Sequence, residues 1–425
     1  MAQSINSLLK EIIEGICPPK EDVEFIETEL KKFLRDIEEK IKGLGVGAEM
    51  FVGGSFAKNT MIKKDHYDID LFLRYDKKYE DEELTKISHD IIEGAKDFEI
   101  VHGSRDYFKV KIRDDVFFEI VPVQKVKNPK DAENITDLSF SHVRYINKKM
   151  KKPDLDQVRL AKAFCYANHC YGAESYIGGF SGYALELLIC KYKTFVKFLR
   201  AMSKVKEKLV IDIEKHHKSA KAVMMDINEA KLTSPIILID PTFKHRNALA
   251  ALSYETFEKF KKEAAAFLKK PEKKAFEVKK TDLEKIKEDA GKNNHEFVLI
   301  EANTDKQEGD IAGSKLLKFF RHLEEEITTY FEIKEKGFNY NKDKSARYFV
   351  VAESKGELIL EGPSVTDEEN VLNFRKKHEN IFTSNNKMYA REKVDFDLKG
   401  FILDWKKKNS LKMEEMHIKI LEIID

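Results

Sequence analysis

The sequence lacks the features that mark membrane, secreted and zinc-binding proteins. It contains no run of about 18 apolar residues, so we expect no membrane span. Its start, Met1 to Ser4, has no basic region leading into an apolar run, which argues against a secretory signal. Its four cysteines show no C-x-x-C spacing. We therefore expect free thiols in a reducing cytoplasm and no zinc site.

The sequence also lacks a net charge of one sign, because its formal charge is only +1 over 425 residues. This balance does not exclude a nucleic-acid partner, since clustering of charge on one face matters more than the total. Lysines do cluster at residues 148–152 and 269–274. Such runs are equally typical of solvated helix faces, so they do not identify an RNA surface by themselves.

The order of apolar patterns predicts an α+β protein, and a chain of 425 residues is long enough for about three domains. Residues 1–135 read as an α+β or mixed α/β sheet domain, residues 136–270 as mainly helical, and residues 271–425 as a small α+β sandwich followed by helices. Five single elements are also predicted: a helix opened by residues 56–60, one helix over 184–202, one over 248–268, a strand over 276–279, and a charged terminal helix after Leu411.

Two aspartates lie on one face of a predicted strand over residues 68–73. Because side chains alternate along a strand, Asp68 and Asp70 point the same way and the aliphatic residues between them point into the core. Like charges this close raise each other's pKa, so a cation is needed nearby. Carboxylate oxygens of this kind suit Mg²⁺. A solvated strand edge would show the same pattern.

A glycine-rich turn directly upstream favours the metal-site interpretation. Gly53-Gly54-Ser55 follows a predicted strand, and Ser55 precedes Asp68 by thirteen residues. Glycines let the backbone approach a phosphate closely, helix amides can point at it, and the serine adds a hydroxyl donor. The spacing is not that of a Walker loop. The turn and the carboxylates together predict nucleotidyl transfer.

A third carboxylate, Glu119, stands in the otherwise apolar segment 116–122. A buried charge is costly unless it is paired or bound to metal. Glu119 therefore either completes a two-metal site with Asp68 and Asp70 or pairs with a lysine across the sheet. Two metals held in this way would activate an attacking hydroxyl and stabilise the leaving pyrophosphate.

With these residues in place, the chain resembles the archaeal-type (class I) CCA-adding enzymes, which are tRNA nucleotidyltransferases of the polymerase-β superfamily. The stretch from Gly54 to Asp70 alone indicates only that superfamily. Three later segments narrow the resemblance and extend it over nearly the whole chain: the run from Val158 to Tyr183, Asp240-Pro241 with Arg246-Asn247, and Gly362-Pro363 with Asn373-Phe374 and Lys387-Met388-Tyr389.

The resemblance implies a polymerase-β-like catalytic domain, a helical middle domain that completes the nucleotide pocket, and a C-terminal RNA-binding region with a ferredoxin-like sandwich. It also implies residue roles. Asp68, Asp70 and Glu119 would hold Mg²⁺ and carry catalysis; Gly54, Ser55 and Lys58 would contact the triphosphate, with Lys162 and Tyr171 closing on it; Ser139 and His142 would line the sugar and phosphate pocket; and Arg246 would help read the base edge.

The implied partners are tRNA, along its acceptor stem and elbow, and the substrates CTP and ATP. A homodimer is left open. Three positions depart from the family pattern: the third acid is usually aspartate, Ser139 stands where threonine is expected, and the loop 102–106 is not acidic. Taken without the resemblance, Lys162 fits a surface lysine, Tyr171 a core aromatic and His142 a structural histidine.

Three functions remain in view. The leading one is template-independent addition of C, C and A to the 3′ end of tRNA. A poly(A) polymerase or an oligonucleotide synthetase would keep the fold and change the product. A catalytically silent RNA-binding protein on the same scaffold is the third, although such a protein has no need to keep mutually repelling acids.

Overall fold

The computed structural model describes residues 5–94, 97–103, 105–126, 128–132 and 134–424. The chain separates into two units, residues 1–279 and residues 280–425. Within the described residues, no helix combines the length and the apolar character needed to cross a membrane.

The first part of the amino-terminal unit is a five-stranded sheet with helices against it. Helix α1 (Ile5–Ile16) comes first in the chain, but it buries Leu8, Leu9 and Ile12 in the core of the helical region described below. The strands of the sheet are β1 (Ala48–Val52), β2 (Tyr67–Tyr75), β3 (Phe98–Val101), β4 (Tyr107–Arg113) and β5 (Val116–Gln124), and its helices are α2 (Lys20–Gly43), α3 (Gly54–Ala57) and α4 (Asp81–Ile92). The strand order is β1-β2-β5-β4-β3. Strands β2 and β5 are parallel, and the other neighbours are antiparallel.

Alternation along β2 confirms the prediction made from the sequence. Ile69, Leu71 and Leu73 are completely buried in the core shared with α2, whereas Asp68 and Asp70 lie on the other face. Helix α3 begins at Gly54 and ends at Ala57, so the helix expected to open at residues 56–60 starts two residues earlier and ends sooner.

The rest of the amino-terminal unit is mainly helical, as predicted, with one small sheet. Its elements are α5 (Ser139–Lys149), α6 (Lys152–Ala167), α7 (Gly182–Tyr192), α8 (Phe195–Met202), β6 (Leu209–Asp212), α9 (Ala220–Asp226), β7 (Ile236–Asp240), β8 (Phe243–Asn247) and α10 (Tyr254–Lys269). The strands form a sheet in the order β6-β7-β8. A cluster of phenylalanine rings, including Phe164, Phe198 and Phe260, fills the core between α6, α8 and α10.

Three predicted elements of this region are wrong. The single helix over 184–202 is two helices, because Lys193 adopts φ +70 between α7 and α8. The helix predicted over 248–268 begins at Tyr254, where the Ser253 hydroxyl caps it by accepting from the Thr256 amide. The strand predicted over 276–279 is absent from the described residues there, and a 3₁₀ turn covers Lys273–Phe276.

The carboxy-terminal unit contains two sheets. Its elements are α11 (Leu283–Lys292), β9 (Glu296–Thr304), α12 (Asp310–Tyr330), β10 (Phe331–Tyr340), β11 (Ser345–Ser354), β12 (Glu357–Ser364), α13 (Glu368–Lys377), β13 (Asn380–Ser384), β14 (Lys387–Lys393), α14 (Leu398–Lys408), α15 (Ser410–Glu415) and β15 (Ile418–Ile423). The sheet orders are β10-β11-β9-β15 and β12-β14-β13.

Residues of β11 alternate between two cores of this unit. Tyr348 and Val350 lie in the core formed with α12 and α14, whereas Phe349 and Val351 pack with residues of α11 on the other face. The charged helix predicted after Leu411 is shorter than expected, because it ends with α15 at Glu415. Residues 418–423 instead form β15, which pairs with β9 and buries Ile418 and Leu421 in the first of these cores. The α+β class predicted for the protein is confirmed.

Candidate active site

The three predicted carboxylates share one region of the amino-terminal sheet. Asp70 of β2 and Glu119 of the parallel strand β5 are register partners, and Lys109 of β4 pairs with Glu119 from the other side. The Lys109 ammonium lies 3.1 Å from Asp68 Oδ1 and 3.4 Å from Glu119 Oε1. The lysine expected as an alternative partner of Glu119 is therefore present, and it contacts two of the three acids.

One lysine does not balance three carboxylates. Burial raises the pKa of Asp70, and repulsion from Asp68 adds to this effect while Lys58 opposes it. Burial likewise raises the pKa of Glu119 to about 7, again with repulsion from Asp68. Clustered oxygen donors whose negative charge is not fully compensated are the ligand set that a hard divalent cation prefers. The residues therefore fit a divalent metal.

The glycine turn lies directly against Asp70. Gly54 has φ +58, and a Cβ atom at its position would lie 1.7 Å from Asp70 Oδ2. The amide of Gly53 donates to the Asp70 carbonyl at 2.8 Å. Only glycine combines this backbone conformation with so close an approach. The turn and the aspartate are therefore one rigid piece of structure, with Ser55 in the first turn of α3.

A buried network that was not predicted joins Lys58 and Lys162. Glu186 of α7 is completely buried, and its two oxygens accept from Lys58 at 2.7 Å and from Lys162 at 2.8 Å. Thr60 donates to Glu186 at 2.9 Å and accepts from Lys162 at 2.8 Å. Lys162 is 2 % exposed, so it is not a surface lysine. A lone acid in the apolar stretch 184–189 was the signal available in the sequence.

The charges of this network suit an anion. Burial would raise the pKa of Glu186, but the two lysines hold it at about 2. Burial lowers the pKa of Lys162 to about 8, with Glu186 opposing the shift. Two ammonium groups on one carboxylate leave a net positive charge beside the glycine turn. A Cβ atom on Gly182 would lie 2.9 Å from the Tyr171 hydroxyl and 3.5 Å from Lys162 Cε, so this tyrosine adjoins the network.

A second buried carboxylate, Asp240, contacts two of the remaining predicted residues, His142 and Arg246. His142 Nε2 lies 3.0 Å from Asp240 Oδ2, and Arg246 donates to the same oxygen at 2.7 Å. The ring of His142 stacks on Tyr183 with centroids 4.0 Å apart. Ser139 is the first residue of α5, one turn before His142. No role for Asp240 or Tyr183 was predicted. The available signal was an acidic residue in an apolar strand, because Asp240 follows four apolar residues of β7 as Glu119 lies among the apolar residues of β5.

The loop that departs from the family pattern has a structural explanation. Arg105 is buried and donates to Asp137 Oδ1 at 2.6 Å and to the Pro122 carbonyl at 3.0 Å. Asp106 pairs with His102 at 3.0 Å, and Ser104 lies outside the described residues. The basic residue of this loop therefore anchors the end of β5.

Family models match both parts of the amino-terminal unit. Residues 30–136 match the nucleotidyltransferase domain, and residues 156–277 match the second domain of tRNA nucleotidyltransferases.

Curated relatives match over almost the whole chain. The chain is 32% identical to the CCA-adding enzyme of Nanoarchaeum equitans over 87% of its length and 88% of that protein. It is 27% identical to the CCA-adding enzyme of Thermococcus gammatolerans, covering 96% of this chain and 91% of that one. For the CCA-adding enzyme of Methanocaldococcus jannaschii the identity is 29%, with 91% and 87% covered.

Solved structures share the fold of about two thirds of the chain. A cytoplasmic RNA terminal U-transferase superposes with a TM-score of 0.50 at 12% identity, over 65% of this chain and 99% of that chain. The RNA terminal uridylyl transferase Cid1 superposes with a TM-score of 0.51 at 13% identity, over 65% and 100%. At these identities the likeness concerns the fold alone.

Proposed function

The chain belongs to the family of CCA-adding enzymes, and we propose that it adds C, C and A to the 3′ end of tRNA from CTP and ATP. As a tRNA nucleotidyltransferase it needs no template. The strongest support for the reaction is the pairing of Asp70 with Glu119 in register, against a glycine turn. In the reaction the terminal tRNA hydroxyl attacks the α-phosphate and pyrophosphate leaves.

Enzymes of the nucleotidyltransferase fold use divalent metal ions, and for this chain we propose Mg²⁺. Asp68, Asp70 and Glu119 would hold it, because they offer oxygen donors whose charge Lys109 neutralises only in part. Bound by these residues, a divalent metal would supply positive charge to the attacking hydroxyl and to the departing pyrophosphate. Glu119 is one methylene longer than the aspartate usual in the family, and the parallel register with Asp70 supports its role as third ligand.

The triphosphate would lie against the positive network beside the turn. Gly54 and Ser55 supply backbone and hydroxyl donors, while Lys58 and Lys162 supply charge. Tyr171 adjoins Lys162 and closes this side. Because Glu186 holds both ammonium groups in fixed positions, they need no reorganisation when the leaving group develops charge.

The sugar and base would lie on the side of Asp240. Ser139 and His142 line the sugar and phosphate pocket, and Arg246 reads the base. A guanidinium only donates, whereas the Watson–Crick ring nitrogen, N3 of a pyrimidine or N1 of a purine, is an acceptor in cytosine and adenine and an N–H donor in uracil and guanine. Arg246 therefore favours the two bases that the product needs.

The RNA partner would contact residues 271–425 along its acceptor stem and elbow, with residues 1–135 catalytic and residues 136–270 completing the pocket. A groove lined by Arg375, Lys376 and Lys377 at the end of α13 supports this assignment. Contacts to phosphate make tRNA affinity fall steeply with salt. We propose that the reaction takes place in the cytoplasm. A measurement of the enzyme's mass in solution will distinguish a monomer from a homodimer.

The test is nucleotide incorporation into tRNA that lacks its terminal CCA, with each nucleoside triphosphate supplied separately. Asp68→Ala or Asp70→Ala should abolish incorporation and leave the fold intact. Asp76→Ala is the matched control, because Asp76 follows the same strand and pairs with Lys125 at 2.8 Å outside the site. Turnover like that of the wild type in either site variant would contradict the metal site.

The same assay separates the alternatives. Growth beyond three nucleotides, or incorporation of ATP alone on any RNA, would indicate a poly(A) polymerase or an oligonucleotide synthetase. No incorporation by the wild-type protein would indicate a silent RNA-binding protein. The similarity to CCA-adding enzymes over almost the entire chain favours neither alternative.

A further inference from the structure

Asp240, the last residue of β7, is a fully buried carboxylate that accepts from five donors. Its Oδ1 accepts from the Tyr183 hydroxyl at 3.0 Å and from the amide and hydroxyl of Thr242, each at 2.8 Å. Its Oδ2 contacts His142 Nε2 at 3.0 Å and Arg246 at 2.7 Å. Hydrogen bonds from His142 and the charge of Arg246 keep the pKa of Asp240 well below its usual range despite burial.

A buried aspartate needed only to close its local turn would be satisfied by Thr242. The other donors come from three different elements: His142 from α5, Tyr183 from α7 and Arg246 from β8. Since the ionised carboxylate can only accept, Nε2 of His142 must carry a proton. The neutral ring then presents Nδ1 as an acceptor, and burial, which lowers the pKa of His142, keeps the ring neutral.

We propose that Asp240 is a positioning residue for nucleotide selection, which orients Arg246 toward the base and fixes the tautomer of His142 toward the ribose hydroxyls. The inference rests on the proposed function and extends it to a residue that need not touch substrate. One nitrogen of the Arg246 guanidinium donates to Asp240. Because the guanidinium is planar, this contact fixes the direction of its remaining donors. His142 is held on both its edge and its face, by Asp240 and by the stacked ring of Tyr183.

The test is Asp240→Asn in the full-length enzyme. Whichever way the new amide is turned, its NH₂ group faces a group that cannot accept, either Arg246 or the Thr242 amide.

Incorporation into tRNA lacking CCA is measured with CTP, UTP and dCTP. We expect the UTP-to-CTP and dCTP-to-CTP ratios of kcat/KM to rise roughly tenfold, the worth of one charge-assisted hydrogen bond. Inhibition by pyrophosphate should be unchanged, because Lys58 and Lys162 are untouched.

The matched control is Asp212→Asn. Asp212 ends the neighbouring parallel strand β6 and accepts from the amide and ring of His217 at 2.8 and 3.2 Å, without contacting Arg246 or His142. It should leave both ratios at their wild-type values.

A purely structural Asp240 would reduce the use of all three nucleotides by one factor, and unchanged ratios would overturn the inference. If Asp240→Asn does not melt cooperatively, Tyr183→Phe removes one donor to Asp240 and keeps the stacked ring. A smaller rise in both ratios is expected, and none would overturn the inference. Inactivity of the wild type with CTP would instead refute the proposed function.

Discussion

Replacing Gly54 by alanine should inactivate the enzyme through the single carboxylate that its new methyl group displaces. The Cβ atom would lie 1.7 Å from Asp70 Oδ2 and 2.5 Å from Cγ, and real Cβ contacts stay above 3.0 Å. The difference obliges the carboxylate or the turn to move by about 1.3 Å. If the carboxylate moves, Asp70 leaves its position beside Asp68 and Glu119; if the turn moves, Gly54 and Ser55 leave theirs against Asp70.

Two effects of different size follow. An alanine at φ +58 carries the strain of the left-handed conformation, about 1–2 kcal/mol, which a unit of this size tolerates. A displacement of about 1 Å at a reacting centre costs roughly 100-fold in rate. Activity should therefore fall far more than stability does.

Gly45→Ala separates the two effects. Gly45 has φ +63, but a Cβ atom there meets no atom within 4 Å. It should therefore show the same loss of stability in thermal unfolding and wild-type kcat for CTP incorporation. Both variants are compared by melting and by steady-state incorporation into tRNA lacking CCA.

The reasoning would be refuted by a Gly54→Ala enzyme that keeps kcat within threefold of Gly45→Ala while it melts at the same temperature. Equal losses of activity in both variants would show that backbone strain, and not the clash with Asp70, controls the turn.

Two other predictions concern the buried lysine network. Glu186→Gln leaves two buried ammonium groups without their counter-charge, so it should cost about 3–5 kcal/mol in unfolding free energy. It should also raise KM for CTP and ATP alike, because Lys58 and Lys162 lose the carboxylate that fixes their positions. Melting and steady-state kinetics measure the two effects, and wild-type KM values would contradict the positioning role. Lys162 has a pKa lowered to about 8, so it is charged below that pH. Affinity for the triphosphate should therefore decline as the pH rises through 8. In Lys162→Met this pH dependence should vanish, and a dependence that persists would have to come from another group.

Local patterns were sufficient where neighbouring residues decide the structure. Alternation along residues 68–73 placed Asp68 and Asp70 on one face of β2. The same logic failed at Lys193, where one residue of positive φ divides a stretch whose pattern predicted a single helix. It also failed for β15, which is a strand because β9 offers it a partner far away in sequence.

The sequence by itself determined the reaction class, because the glycine turn, the two aspartates and the lone acid in an apolar strand can be read from residues close together in the chain. Only the tertiary structure decided what those residues contact. It set Glu119 beside Asp70 and Lys109, joined Lys58 to Lys162 through Glu186, and joined His142 to Arg246 through Asp240. The physical reason is that a buried charge must be satisfied by whichever partner the fold brings to it, and the sequence does not state the distances between distant residues.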